Sequence, residues 1–150
     1  MSPENFELVK TIEIEASPEL VYRFFTEKDL LERWQCREAH LDAQPGGAYT
    51  FDITGEDITR GEFLELEPGK RILMTWGFDV PGSSTLEITL SPIERGTLVS
   101  LRHFGFETED GRDGHGRGWT HYLGRLEIAA RGDDPGRDTW LETQVAGEET

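Results

Sequence analysis

The sequence predicts an α+β domain in which a curved antiparallel sheet of about seven strands packs against two short helices and one long C-terminal helix. Three observations predict it. Apolar alternation with period two recurs from Glu38 to His103, broken by turn signals at roughly ten-residue spacing and by no helical pattern. A helix start, Ser17-Pro18-Glu19, follows directly on a first strand. Trp119, Tyr122, Leu123, Leu126 and Ala130 fall at i, i+3, i+4, i+7 and i+11, the apolar stripe of one amphipathic helix.

The first strand runs from Leu8 to Ala16. Leu8, Ile12, Ile14 and Ala16 share one parity, opposite Thr11, Glu13 and Glu15, with Lys10 the exception on the apolar side. Ser17 is the N-cap, and Pro18 takes the first helical position, where its missing N–H costs nothing. Leu20, Val21, Phe24 and Phe25 continue at helical spacing; Thr26 to Asp29 interrupts, and Leu30, Leu31 and Trp34 mark a second short helix. Tyr49, Phe51 and Ile53 alternate with Thr50 and Asp52 after the Pro45-Gly46-Gly47 turn. Gly55 to Asp57 turns into a strand over Ile58 to Glu67, in which a parity change between Phe63 and the Leu64/Leu66 pair predicts a bulge. Arg60 and Glu62 precede that bulge, where a buried Arg–Glu pair is one reading and surface exposure the other.

Pro68-Gly69-Lys70 leads to Ile72, Met74, Trp76 and Phe78 on one face, and Pro81-Gly82-Ser83 leads to Leu86, Ile88 and Leu90. Ser91 to Gly96 makes the last turn before Thr97, Val99, Leu101 and His103. Asp110 to Gly118 reads as a polar, glycine-rich loop ahead of the long helix. Gly132 to Gly136 stops that helix, and the remainder to Thr150 reads as a weakly structured tail.

With 150 residues, 35% of them apolar, the chain has the material for one domain with its own core. Its 15 basic against 30 acidic residues leave a net charge of −15, which repels nucleic-acid phosphates and anionic lipid headgroups. No run approaches the ~18 uninterrupted apolar residues of a membrane span. Met1 to Lys10 lacks the basic patch and apolar run of a signal peptide, so a cytoplasmic location is expected. Cys36 is the single cysteine, which removes an internal disulfide and any Cys-pair metal site.

The run Ile12-Glu13-Ile14-Glu15-Ala16-Ser17-Pro18-Glu19-Leu20-Val21-Tyr22 resembles the "I-x-A-S-P-E-x-V-Y/W" opening of the SRPBCC superfamily. That superfamily has the helix-grip fold shared by START lipid-transfer domains and the birch-pollen allergen proteins. Within it the chain is similar to bacterial proteins that resemble the C-terminal domain of the Aha-type activators of heat-shock-chaperone ATPases. Leu31-Glu32-Arg33-Trp34, Gly46-Gly47-Ala48-Tyr49, Gly61 to Leu66, Arg71 to Trp76, Gly96 to His103, and Gly118-Trp119 with Leu123 carry the likeness. It covers about residues 8–131 of a single domain over 1–150, leaving 132–150 as tail. The resemblance implies a cavity between sheet and helix; it also admits a cyclase-, aromatase- or hydrolase-like enzyme using the same cavity and a module that regulates a chaperone ATPase. The activators' N-terminal domain is expected to be missing here.

The candidate cavity wall comprises Trp34, Tyr49, Phe51, Phe63, Trp76, Phe78, Trp119 and Tyr122, with Leu86, Ile88, His103, Leu123 and Leu126 on the same inward faces. Aromatics dominate ordinary cores, so the plain alternative for each is packing. As a set, large rigid rings with a few polar tips suit a hydrophobic or aromatic small molecule. One helix of about four turns is expected to leave part of the sheet's concavity unfilled. His103 is expected under the long helix as a polar anchor for ligand; in the enzymatic alternative, either His103 or Tyr49 is the proton carrier.

His115, His121, Asp110 and Asp113 lack metal-ligand spacing, and no metal or other cofactor is expected. The glycines Gly111, Gly114, Gly116 and Gly118 lack the arrangement of a phosphate cradle and are expected to form a mobile segment at the cavity mouth. Cys36 would be reactive only with a stabilised thiolate, for which Arg33 and Arg37 are near in sequence. An exposed edge strand would allow a homodimer.

Overall fold

Each strand pairs antiparallel with its neighbours in one seven-stranded sheet, in which the first strand lies beside the last and the others follow in reverse chain order down to the second at the far edge. The computed structural model describes residues 6–55, 58–76, 84–106 and 108–140. The elements run β1 (Phe6–Ile14), α1 (Pro18–Thr26), α2 (Lys28–Leu31), β2 (Glu38–Leu41), β3 (Ala48–Asp52) and β4 (Ile58–Glu67). They continue with β5 (Arg71–Trp76), β6 (Ser84–Ile93), β7 (Gly96–Phe106) and α3 (Glu109–Ala130). This is the α+β helix-grip architecture: a curved sheet, a short helical pair and a long helix. Among the described residues, no helix is long and apolar enough to cross a membrane.

The meander has a local cause. From β2 onward consecutive strands are neighbours in the sheet, and period-two alternation puts each strand's apolar set on one side, so a register slip would expose it. The register aligns an inward row across the sheet: Leu8 opposite His103, His103 opposite Leu86, Leu86 opposite Met74, and Met74 opposite Phe63. All five are buried. The expected bulge lies in β4, where the pairing with β5 shifts between Phe63 and Glu65. Just ahead of it, a Cβ on Gly61 would collide with Thr75 and the Tyr49 ring, so only glycine lets β4 pass this close. Arg60 and Glu62 are both exposed, so the buried Arg–Glu reading is corrected: the parity that turns Gly61 and Phe63 inward turns these two outward.

The first helix starts as its sequence requires, with Ser17 Oγ accepting from the Leu20 N–H at 3.2 Å and Pro18 in the first turn. It turns Val21, Phe24 and Phe25 inward. Trp34 is held by a hydrogen bond from its Nε1 to the Phe24 carbonyl at 2.9 Å and meets Phe25 edge-on, with centroids 5.2 Å apart. Arg125 Nε then donates to the Trp34 carbonyl at 2.9 Å, tying α3 to this helical corner.

The glycine-rich stretch corrects the loop expectation: Asp110 to Gly118 belongs to α3, which begins at Glu109. Thr108 caps it, its side chain accepting from the Gly111 N–H at 3.0 Å, and Glu109 and Asp110 lie in the first turn, where the helix dipole favours acids. Each interior glycine costs about 1 kcal/mol relative to alanine. Docking on β1 offsets this, since a Cβ at Gly116 would already lie 3.8 Å from Leu8 Cδ2 and 3.9 Å from Lys10 Cε. Helical spacing of apolar residues marks only the half that buries bulky side chains, so it missed the half that approaches through its backbone.

The tail is corrected in part as well. Residues 132–140 fold back along α3: Asp138 accepts from Tyr122 Oη at 2.7 Å, pairs with His121 Nε2 at 2.9 Å and accepts from the Trp140 N–H at 2.9 Å. Trp140 lays its ring against His121 and Tyr122, centroids 5.2 and 6.1 Å away. Residues 141–150 lie outside the described part of the chain.

Candidate functional site

The C-terminal half of α3 closes tightly on the sheet through Leu123, Leu126, Ala129 and Ala130, all buried. On the side facing Trp76, its N-terminal half does not. There Gly111, Gly114 and Gly118, spaced i, i+3 and i+7, present bare backbone on one helix face, and a cleft of about 400 Å³ opens beside them. Ile53, Trp76, Trp119 and Trp140 supply its apolar walls; Gln35, Thr59, Asp110, His115 and Tyr122 supply polar atoms. Three elements (β4, β5 and α3), the segments that follow α2 and β3, and the returning tail therefore converge on one space. A more open groove of about 790 Å³ runs between β1 and α3, with Lys10, Arg112 and Arg117 facing Glu7 and Asp113, and it shares Trp140 with the cleft.

Of the sequence-derived wall residues, Trp76, Trp119 and Tyr122 line the cleft. Tyr49, Phe51 and Phe63 form a packed ring cluster behind it: Tyr49 lies 4.5 Å from Phe51 and 5.7 Å from Phe63 between centroids, and 6.1 Å from Trp76. Leu86, Ile88, Leu123 and Leu126 are buried core, and Trp34 sits in the helical corner. Phe78 lies outside the described residues.

His103 is fully buried and doubly tied. An indole N–H only donates, so the Trp119 Nε1–His103 Nδ1 hydrogen bond of 3.0 Å leaves Nδ1 as acceptor. The neutral ring then carries its proton on Nε2 and donates it to Ser84 Oγ at 2.6 Å, and Ser84 passes its own proton toward the Trp76 carbonyl at 3.5 Å. Burial, and secondarily the neighbouring His115, push the His103 pKa down to about 2. The direction of this relay is opposite to nucleophile activation, because the histidine gives Ser84 a proton instead of taking one. Tyr49 is committed in the same way, donating from Oη to the Thr75 carbonyl at 2.6 Å. The relay instead fixes the Trp119 indole through its N–H, and the Trp76 ring lies 5.2 Å from it between centroids at the cleft wall.

The remaining titratable candidates divide clearly. His115 is exposed at the cleft; its Nδ1 meets the Gly111 carbonyl at 2.9 Å and so donates, which leaves Nε2 an acceptor in the neutral ring. His121 pairs with Asp138. Burial raises the Asp138 carboxyl, but hydrogen bonds from Tyr122, His121 and the Trp140 N–H outweigh it and hold the group below its ordinary value. Among the described residues, no three His, Cys, Asp or Glu side chains gather as a metal site. Cys36 is buried, and burial followed by the Glu32 carboxylate pushes its thiol up to about 12. Arg33 and Arg37 are exposed and do not stabilise its thiolate.

Sequence reasoning missed Gln35, Ile53, Thr59, Trp140 and Ser84 as parts of the site. Gln35 carried a usable signal: it stands at i+4 from the buried Leu31, on the inward side of the turn after α2. Ser84 and Trp140 carried none, since each acquires its role from a partner at least 16 positions away.

Comparison with known proteins places these features in a family. The profile described as "Activator of Hsp90 ATPase homolog 1-like protein" matches residues 15–131. The chain is 36% identical over 86 residues to the mouse activator of 90 kDa heat shock protein ATPase homolog 1, a match covering 57% of this chain and 25% of the mouse protein. The chain thus spans about a quarter of the curated relatives it matches. An AHSA1-like protein of Rhizobium etli, solved in solution, is 38% identical with a TM-score of 0.73, covering 91% of this chain and 88% of its own. The Aha1 dimer of Colwellia psychrerythraea shares the fold at 24% identity and a TM-score of 0.75, over 83% of this chain and 96% of that one.

Proposed function

This chain belongs to the activator of Hsp90 ATPase homolog 1-like family, and from that premise we propose that it binds a hydrophobic or aromatic small molecule in the cleft beside the glycine face of α3. The observation that carries the reading is the concentration of three of the chain's four tryptophans, Trp76, Trp119 and Trp140, around one space of about 400 Å³. A volume of that order, apolar with a few polar tips, is typical of small-molecule sites. The bare helix face has a chemical purpose in this reading: side chains at Gly114 and Gly118 would occupy the space a guest needs.

Gly114→Leu is the decisive variant. A Cβ there meets only the flexible end of Arg117, at 3.7 Å, so the leucine enters the cleft without a backbone clash and improves helix propensity. Naphthalene titrated into the native protein is expected to shift the amide signals of Gly114 and Gly118 and the Trp119 and Trp140 indole signals together. Gly114→Leu is expected to weaken that binding by about tenfold or more, a change of at least ~1.4 kcal/mol, without lowering the melting temperature. Scattered shifts, or unchanged affinity in the variant, would remove the proposal.

A second reading, contact with an Hsp90-type chaperone, is favoured by the sequence similarity to the mammalian activators. It predicts that the purified chain raises the ATPase rate of such a chaperone. An unchanged rate at saturating chain eliminates it.

A further inference from the structure

We propose that Gln35 reads the guest in this cleft, and that the preferred guest is a flat, uncharged ring system carrying a lactam or amide edge; this rests on the cleft being a ligand site. Gln35 follows the α2 turn, anchored by its backbone N–H, which donates to the Leu31 carbonyl at 3.0 Å. Buried Trp34 and Cys36 flank it, and the whole residue is only 4% exposed. Among the described residues its carboxamide has no hydrogen-bond partner. No buried side-chain nitrogen or oxygen is left orphaned outright, so the carboxamide retains contact with the cleft it lines.

A carboxamide that faces the cleft without a protein partner keeps its polar atoms available to whatever fills the cleft, which a leucine or methionine in the same wall would not offer. The arrangement makes sense when a guest completes the bonds. A carboxamide holds an acceptor oxygen beside a donor NH₂, and its complement is a planar edge with donor and acceptor side by side, as in a lactam. The walls select for flatness, since the Trp119 ring is tied to His103 through its N–H, the Trp76 ring lies 5.2 Å from it, and Trp140 closes the side near Gly118, 3.8 Å from where a Cβ would stand. Charge selects against anions. The lining holds the carboxyl of Asp110, with the Arg117 guanidinium standing only at the edge beside Gly114, and the chain's net charge is −15.

Three probes of similar size separate these terms: 2-quinolinone with a lactam edge, naphthalene with none, and 2-naphthoate with a negative charge. The native protein is expected to bind 2-quinolinone about tenfold more tightly than naphthalene, and 2-naphthoate less tightly than naphthalene. Gln35→Leu is expected to bring the ratio of 2-quinolinone to naphthalene affinity to about one, with naphthalene affinity kept and the melting temperature not reduced. If the leucine variant does not fold, Gln35→Met carries the same comparison. Naphthalene binding without a lactam preference, or a preference that survives in the Gln35 variant, overturns the role of Gln35 and leaves the cleft as a site. Binding of none of the probes overturns both.

Discussion

Replacing His103 by alanine is expected to destabilise the protein by about 3–5 kcal/mol, because it combines a large core cavity with two severed hydrogen bonds. The Trp119 indole N–H loses its acceptor, and Ser84 loses the donor that holds it in place. Urea denaturation checks this directly, and a loss below about 1 kcal/mol would mean that the relay carries no structural weight. The same histidine makes stability depend on pH. Its folded pKa of about 2 lies below the ordinary value of 6.5, so between these the unfolded chain binds the additional proton. The contribution is present above pH ~6.5 and is lost as pH falls below it, at up to about 1.4 kcal/mol per pH unit. Measured between pH 6.5 and 4, the native protein is expected to lose stability more steeply than His103→Gln, which has no titrating ring. Parallel slopes would show that His103 is not the group responsible.

Asp138→Ala is expected to cost about 2 kcal/mol and to loosen the returning tail from α3. The carboxylate accepts from Tyr122 and pairs with His121, so its removal releases two attachments of residues 132–140 to α3, together with the bond from the Trp140 N–H that shapes the tail itself. Denaturation gives the energy, and the Trp140 emission, shifting toward that of a solvated indole, gives the structural change. Asp138→Asn keeps an acceptor for Tyr122 and is expected to recover part of the loss. Because the Asp138 pKa is depressed, its stabilisation is present above the unfolded value of ~3.8 and is lost as pH falls through the lower folded one. The His103 and Asp138 contributions therefore fade in different windows, the histidine's first. An alanine variant as stable as the parent, with unmoved Trp140 emission, would show the strap to be unattached in solution.

The two kinds of residue differ in how visible they were. Leu86, Ile88 and Leu101 announce their inward side by alternation, and Ser17-Pro18 announces a helix start, because these are relations between neighbours in the chain. The inward direction of His103 followed from the same parity. What it does there did not, since Trp119 and Ser84 reach it from different elements. The described aromatics of the set were legible as inward-facing but not as divided: Trp76 and Trp119 border open space, whereas Tyr49, Phe51 and Phe63 fill one another's.

Local order along the chain was enough to establish the strand-and-helix succession, the β4 bulge and the inward sides of the strands, because periodicity and turn chemistry act over a few residues. Assembly in space settled the helical state of Asp110 to Gly118, the return of Trp140 and the location of the cleft. A glycine helix face and an unmatched glutamine have no local signature. They become a cavity and its reader only when distant strands and a folded-back tail are brought around them.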